Sequence, residues 1–171
     1  MRDTFILVGL AAVALVLGSY ILLYGRGTLS DTSLSAGTQN SSAAVDVPFT
    51  DLLQGTRSSV TGRVNYVITS KSQLEELWKM IRTTDPMPNV DFSTHDIIAV
   101  FSGEKPTGGY AISVSKIADS VVRMVTITLA SPGSACVLSQ STTDPYQIIA
   151  VPKTSLPLVH EDQTATTSCP Q

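Results

Sequence analysis

The sequence predicts an α+β domain, mostly β, preceded by a single N-terminal transmembrane helix. The domain is read as an antiparallel sheet or sandwich with one packed amphipathic helix. Three observations carry this reading. Residues 5–24, "FILVGLAAVALVLGSYILLY", hold no charge. A single segment, "SQLEELWKMIR" (72–82), repeats its apolar residues with the helical period. Most of the chain beyond residue 95 alternates, or is continuously apolar and rich in β-branched residues, as strands do.

Taken in order, residues 1–4 are a short N-terminal tail. As a helix, 5–24 would be roughly 30 Å long, about the thickness of a bilayer's hydrocarbon core. Tyr20 and Tyr24 fall where an aromatic belt is expected. A cleaved signal peptide is the alternative, but the run exceeds the usual h-region and no A-x-A site comes after it. Residues 25–45 are rich in Ser, Thr and Gly and poor in charge. They bury too little apolar surface to fold and read as a flexible linker. Arg2 and Arg26 flank the apolar run almost evenly, so charge does not orient it. A linker after a short anchor predicts a domain on the extracytoplasmic side of the cell membrane.

The globular domain is expected over 46–171. In the helix, Leu74, Leu77, Trp78 and Ile81 form one apolar stripe, Ser72 and Glu75 suggest a capping box, and the prolines at 86 and 88 end the segment. Strands are expected at 60–70, 96–101, 109–117, 121–130, 135–140, 146–152 and 156–162. "DIIAVF" (96–101) is continuously apolar, as in a strand covered on both faces.

The chain is weakly acidic, with a formal net charge of −3 and no basic cluster. That argues against a nucleic-acid partner. His95 and His160 are the only histidines, and none of G-x-S-x-G, H-E-x-x-H, G-x-x-x-x-G-K-[ST] or G-x-G-x-x-G occurs. The reading is of a protein that is not an enzyme, with no cofactor, no metal and no small-molecule substrate. Cys136 and Cys169 are the only cysteines. In the cytosol they would be two unrelated thiols; outside the membrane an even count predicts one bridge, which would pin the C-terminal tail.

Two turns stand out. "KPTGGY" places Lys105, Pro106, Thr107, Gly108, Gly109 and Tyr110 between two apolar runs, and "TTDPY" places Asp144, Pro145 and Tyr146 before another. Pro106 presets φ, and Gly108 or Gly109 can take φ > 0. Both stretches are turn chemistry. A pair of adjacent glycines also admits close approach of another backbone, the chain's own or a partner's. Because each turn opens a strand, both are expected at one end of the sheet, where loops on a rigid scaffold carry binding.

These residues carry a resemblance. Asp91-Phe92, "DIIAVF", Gly103, Pro106 to Tyr110, Thr143, Pro145-Tyr146 and "IIAVP" resemble, in order and spacing, the C-terminal domain of the PrcB family, over about residues 50–160. The family is that of a subunit of a bacterial protease complex. The resemblance implies a non-catalytic accessory role, binding or stabilising a protease at the cell envelope, with a protein as partner. "KPTGGY" is also similar to the N-P-T-T-G-Y/F loop of protease inhibitors of the chagasin type. It lacks the Asn, and Gly108 stands in place of the second Thr. That resemblance implies the alternative, an inhibitor acting through the 105–110 and 142–146 loops.

Overall fold

The structure is a computed structural model, and it describes residues 43–168. The expected span over 5–24, most of the linker and Cys169 lie outside the described residues. Among the described residues no helix is long and apolar enough to cross a membrane. Val45, the last residue of the expected linker, is paired with Asp119.

Eight strands and one helix occur in this order: β1 (Val45–Asp46), β2 (Thr50–Gly55), β3 (Val64–Ile68), α1 (Lys71–Met80), β4 (His95–Phe101), β5 (Ala111–Asp119), β6 (Arg123–Pro132), β7 (Tyr146–Pro152) and β8 (Leu158–Thr167). They form two four-stranded sheets, β1-β5-β6-β8 and β2-β7-β4-β3. The second sheet is the middle layer. On one of its faces Ile97, Ala99, Phe101, Tyr146 and Ile148 pack with Leu74, Leu77 and Ile81 of the helical segment. On the other, Ile98, Val100, Ile149 and Val151 pack with Ile112, Val114, Ile117, Val125 and Ile127 of the first sheet. The period-2 alternation of side chains sends successive residues of β4 and β7 into two different cores. The continuous apolar run of "DIIAVF" therefore has the cause the sequence suggests: both faces are covered.

Several elements differ from expectation. The helix is capped two residues earlier than Ser72. The Ser70 hydroxyl accepts from the Gln73 backbone amide at 3.4 Å, and the Gln73 side-chain Oε1 accepts from the Thr69 amide at 2.8 Å. Ser70 and Gln73 thus stand at the N-cap and third positions of a capping box, with the return bond shifted to Thr69. The helix stops at Met80, before either proline, because Ile81 turns extended and bridges to Ser58. Trp78 is half-buried at the core margin, and its indole N–H donates to the Asp85 carbonyl at 3.2 Å.

Residues 135–140 are not a strand. Cys136 N–H closes a turn on Gly133 O at 3.1 Å, and Val137 is fully exposed. The first sheet is not wholly antiparallel: β8 runs parallel to β6 along its length. Its connection explains this. β7, in the other sheet, intervenes, and the chain re-enters the first sheet where β6 began, with Arg123 N–H bonded to Pro157 O at 2.9 Å. β5 carries a bulge between Val114 and Lys116 that turns Lys116 outward and Ile117 into the core.

Arg123, 3% exposed, ties the layers together at the end where β7 finishes. Its guanidinium makes two 2.8 Å bonds to the Asp119 carboxylate and a third, from Nη1, to Pro152 O. The bonds from Arg123 hold the Asp119 carboxyl below the ordinary carboxylate range, against the opposing effect of burial. A group with a lowered folded pKa stabilises the fold above its unfolded value, near 4, and the gain is lost as pH falls through the folded one. The melting temperature is expected to drop as pH falls below about 4, and to drop less steeply in Asp119→Asn. At neutral pH, Asp119→Ala leaves a buried guanidinium without its carboxylate and should cost on the order of 3 kcal/mol. Urea denaturation at pH 7 and thermal melts from pH 7 to 2.5 check both statements.

Candidate functional site

The end of the sandwich opposite Arg123 gathers the turns singled out in the sequence. Lys105 and Thr143 form an isolated antiparallel bridge, with amide-to-carbonyl bonds of 2.7 and 3.0 Å. The Thr143 hydroxyl adds a 2.8 Å bond to Thr107 O. The second turn is tied on two further sides: Ser102 N–H donates to Pro145 O at 2.9 Å, and Asp144 N–H donates to Thr56 O at 2.9 Å. The two turns therefore form one rigid unit. The strands they open, β5 and β7, lie in different sheets, so the shared end comes from stacking the layers and not from neighbouring positions in one sheet.

The two adjacent glycines serve the chain's own loop. Gly109 has φ +87°, and a Cβ there would stand 3.0 Å from both Leu138 and Pro132. Gly108 donates its amide to Ser139 O at 3.2 Å, and a Cβ there would meet the Ser139 hydroxyl. The 133–140 loop is thereby seated on the glycine pair. Between them lies a cleft of about 390 Å³, lined by Gly108, Gly109, Pro132, Cys136 and Leu138 among others. Gly103 has φ +73° for a similar reason: the backbone of Thr61–Arg63 passes within 3.0 Å of where its Cβ would be.

The candidate residues separate by exposure. Pro106 and Gly109 are exposed, while Lys105, Thr107, Gly108, Tyr110 and Asp144 are half-buried. The Lys105 ammonium lies 5.9 Å from the centre of the Tyr110 ring, a cation–π contact. One Asp144 carboxylate oxygen is buried with no hydrogen-bond partner among the described residues. Pro145 and Tyr146 lie inside. The Tyr146 ring stacks on Phe101 with centroids 5.8 Å apart and covers Gly55, its partner in the β2–β7 ladder. These two residues hold the turn and do not form its surface.

A second cleft, about 210 Å³, opens between Gln54–Thr56 and Tyr110–Ile112, with Pro145 at its wall. Beside it runs the free edge of β5. Two glutamines of the other sheet cap that edge: Gln54 donates to Ile112 O at 3.3 Å, and the Gln147 carbonyl oxygen accepts from Val114 N–H at 2.5 Å. Gln147, 5% exposed, also donates to Asp51. Sequence reasoning missed both glutamines. The signal for Gln147 is one polar residue inside "YQIIAVP", where a doubly covered strand has to satisfy whatever polar group it buries.

His95 sits at the other end, with Nδ1 2.9 Å from the Thr94 hydroxyl, and His160 lies on exposed β8. Among the described residues no three His, Cys, Asp or Glu side chains gather as metal ligands. No described cysteine is a free thiol.

The geometry defines a class first: a helix-backed β-sandwich whose one end is built from two mutually braced turns. Residues 97–152 of it, from β4 through β7 with both turns inside, match the family model described as PrcB C-terminal. The match is narrower than the resemblance over 50–160, and it leaves β1, β2, β3, the helix and β8 outside. No curated protein and no solved structure matches the chain.

Gly109→Val should destabilise the domain by more than about 1 kcal/mol, because a β-branched residue is strained at that φ and its side chain would strike Leu138 and Pro132. Gly108→Ala should cost less, since the Ser139 hydroxyl it meets can rotate away. Urea midpoints of the two variants test the contrast.

Proposed function

We propose that this chain is a non-catalytic accessory subunit of an envelope protease complex. In this reading it is anchored in the cell membrane by residues 5–24, and its domain lies on the extracytoplasmic side. It takes a protein partner at the end formed by the two braced turns. The observation that supports this best is the match to the PrcB C-terminal family across the strands and turns that build that end. Rigidity adds support: a loop already fixed by the Lys105–Thr143 bridge loses little conformational entropy on binding. The contact set is then Lys105, Pro106, Thr107, Gly109, Tyr110 and Asp144. The inhibitor reading draws less support, because the aromatic of the second turn, Tyr146, is 3% exposed and the turn does not present it.

The Cys136–Cys169 bridge belongs to the same proposal. Cys136 is not a free thiol. Cys169 is the one other cysteine of the chain, and an oxidising compartment would keep the pair joined.

Lys105→Ala and Thr107→Ala should leave stability within about 0.5 kcal/mol. They should lower the amount of protease captured from native membranes roughly tenfold, equivalent to ~1.4 kcal/mol of binding. Capture equal to wild type by both variants would show that the turn is only a turn. Labelling of the unreduced, denatured chain should find no free thiol; two reactive thiols would remove the bridge and its argument for an extracytoplasmic domain.

A further inference from the structure

Beside the braced turns lies a third cleft, about 220 Å³, lined by Gly55, Arg57, Arg82, Thr83, Asp85 and Tyr146 among others. Arg57 and Arg82 are brought side by side by the bond from Arg82 N–H to Arg57 O, 3.1 Å, next to the Ser58–Ile81 bridge. Both arginines are exposed. Among the described residues neither has a carboxylate partner, whereas Arg63, Lys79, Lys116, Arg123 and Lys153 each have one. The nearby Asp85 carboxylate keeps its charge but forms no ion pair with either arginine. One Asp85 oxygen accepts from the Thr83 hydroxyl at 2.9 Å, and Asp85 N–H bonds back to that hydroxyl, so the carboxylate is engaged in its own turn. The third donor is the Tyr146 hydroxyl. The residue is buried, its hydroxyl reaches over Gly55 at the wall of the cleft, and among the described residues nothing bonds to it. Burial, with a smaller contribution from Asp85, raises the phenol's pKa, so it remains a neutral donor at physiological pH.

We propose that this cleft binds a carboxylate of an acidic protein segment, with the two guanidinium groups supplying charge and the Tyr146 hydroxyl supplying direction. Paired arginines suit this ligand because each planar fork can hold a carboxylate by two parallel bonds. The cleft is smaller than a typical small-molecule pocket and has room for a side-chain carboxylate. The segment Gln54–Thr56 separates it from the seam cleft beside Tyr110. An acidic stretch of a partner seated on the braced turns would therefore run directly into it. Only the identity of the natural ligand rests on the accessory-subunit reading; the site itself does not.

Trp78 is the one tryptophan of the chain, and its indole is bonded to the Asp85 carbonyl, so its emission reports on the cleft. The full chain in detergent is titrated with acetylated hexaglutamate, with acetylated hexaglutamine as the control. The expected result is a saturable change in Trp78 emission with hexaglutamate only, weakening as salt is raised. Arg57→Gln and Arg82→Gln should each weaken binding tenfold or more with unchanged melting temperature. Tyr146→Phe, which keeps the ring against Phe101, should weaken it severalfold. Equal responses to both peptides, a response unaltered in both arginine variants, or one matched by inorganic phosphate at equal charge would overturn the proposal. Because no protease is present, these outcomes are independent of whether the chain captures one.

Discussion

The fold depends on one constraint: β4 and β7 have to be covered on both faces. Ile97, Ile98, Ala99, Val100 and Phe101 are each at most 2% exposed, and five residues of β7 are nearly as deep. A two-sheet sandwich would cover only one face of these strands. The helix exists to cover the other. Its stripe is short, Leu74 and Leu77 with Ile81 just beyond its end, but it is enough to close the layer. Burying a Leu or Ile side chain is worth roughly 1.5–3 kcal/mol. The middle layer, with two buried faces, therefore carries most of the stabilisation, and the first sheet and helix are organised around it.

A doubly covered layer has little room for polar groups, and those it contains are placed with purpose. Gln147 faces the first sheet from within β7 and satisfies Val114 N–H, an edge group of β5 that β1 leaves unpaired when it departs after two residues. Gln54 does the same for Ile112 O from β2. An open strand edge invites pairing with other chains. Here, side chains from the neighbouring layer occupy it. Arg123 plays the corresponding part at the far end, and Arg63, just before β3, bonds to Asp162 of β8 at 3.0 and 2.6 Å. Polar cross-links thus sit at the rims of the two cores, and the buried ones, Gln147 and Arg123, have their polar groups satisfied by hydrogen bonds.

Much of this was legible in residue patterns and some of it was not. The inner strands were legible because their burial pattern is strong: period 2 in β5 and β6, a continuous apolar run in β4 and β7. The helix was legible from its stripe, although its start was not, since Ser70 and Ser72 are both plausible caps and only the Gln73 bonds decide between them. β2, "TDLLQG", was missed altogether. Its Asp, Gln and Gly have poor strand propensity, and the bulge between Asp51 and Leu53 breaks the alternation. It becomes a strand because β7 offers it an edge, which is tertiary information. Residues 135–140 failed the other way: a plausible apolar alternation with no edge to pair with, drawn instead onto Gly108 and Gly109. The meeting of the two turns was anticipated from where each lies relative to its strand. The inward position of Pro145 and Tyr146 was not, because turn chemistry does not reveal which side of a turn faces the core.

The division of labour within the turns is a consequence of that geometry. The residues with the strongest turn character, Gly108, Gly109, Pro145 and Tyr146, are occupied by the chain's own packing. The groups facing outward beside them are a small polar and cationic set. Of the four described lysines and arginines without a carboxylate partner, Arg57, Arg82 and Lys105 lie at this end, and only Lys71 lies elsewhere, at the start of the helix. The carboxylates of Asp85, Glu104 and Asp144 lie at the same end, so the charge there is mixed and the three cations are distinguished by lacking a bonded partner. Elsewhere, Lys71 apart, each described lysine and arginine has a carboxylate partner. At the turn end the guanidinium groups act over about a Debye length at most, ~8–10 Å at physiological salt. A partner taken at this end, as proposed, would meet turns already braced by the Lys105–Thr143 bridge and would require little rearrangement of them.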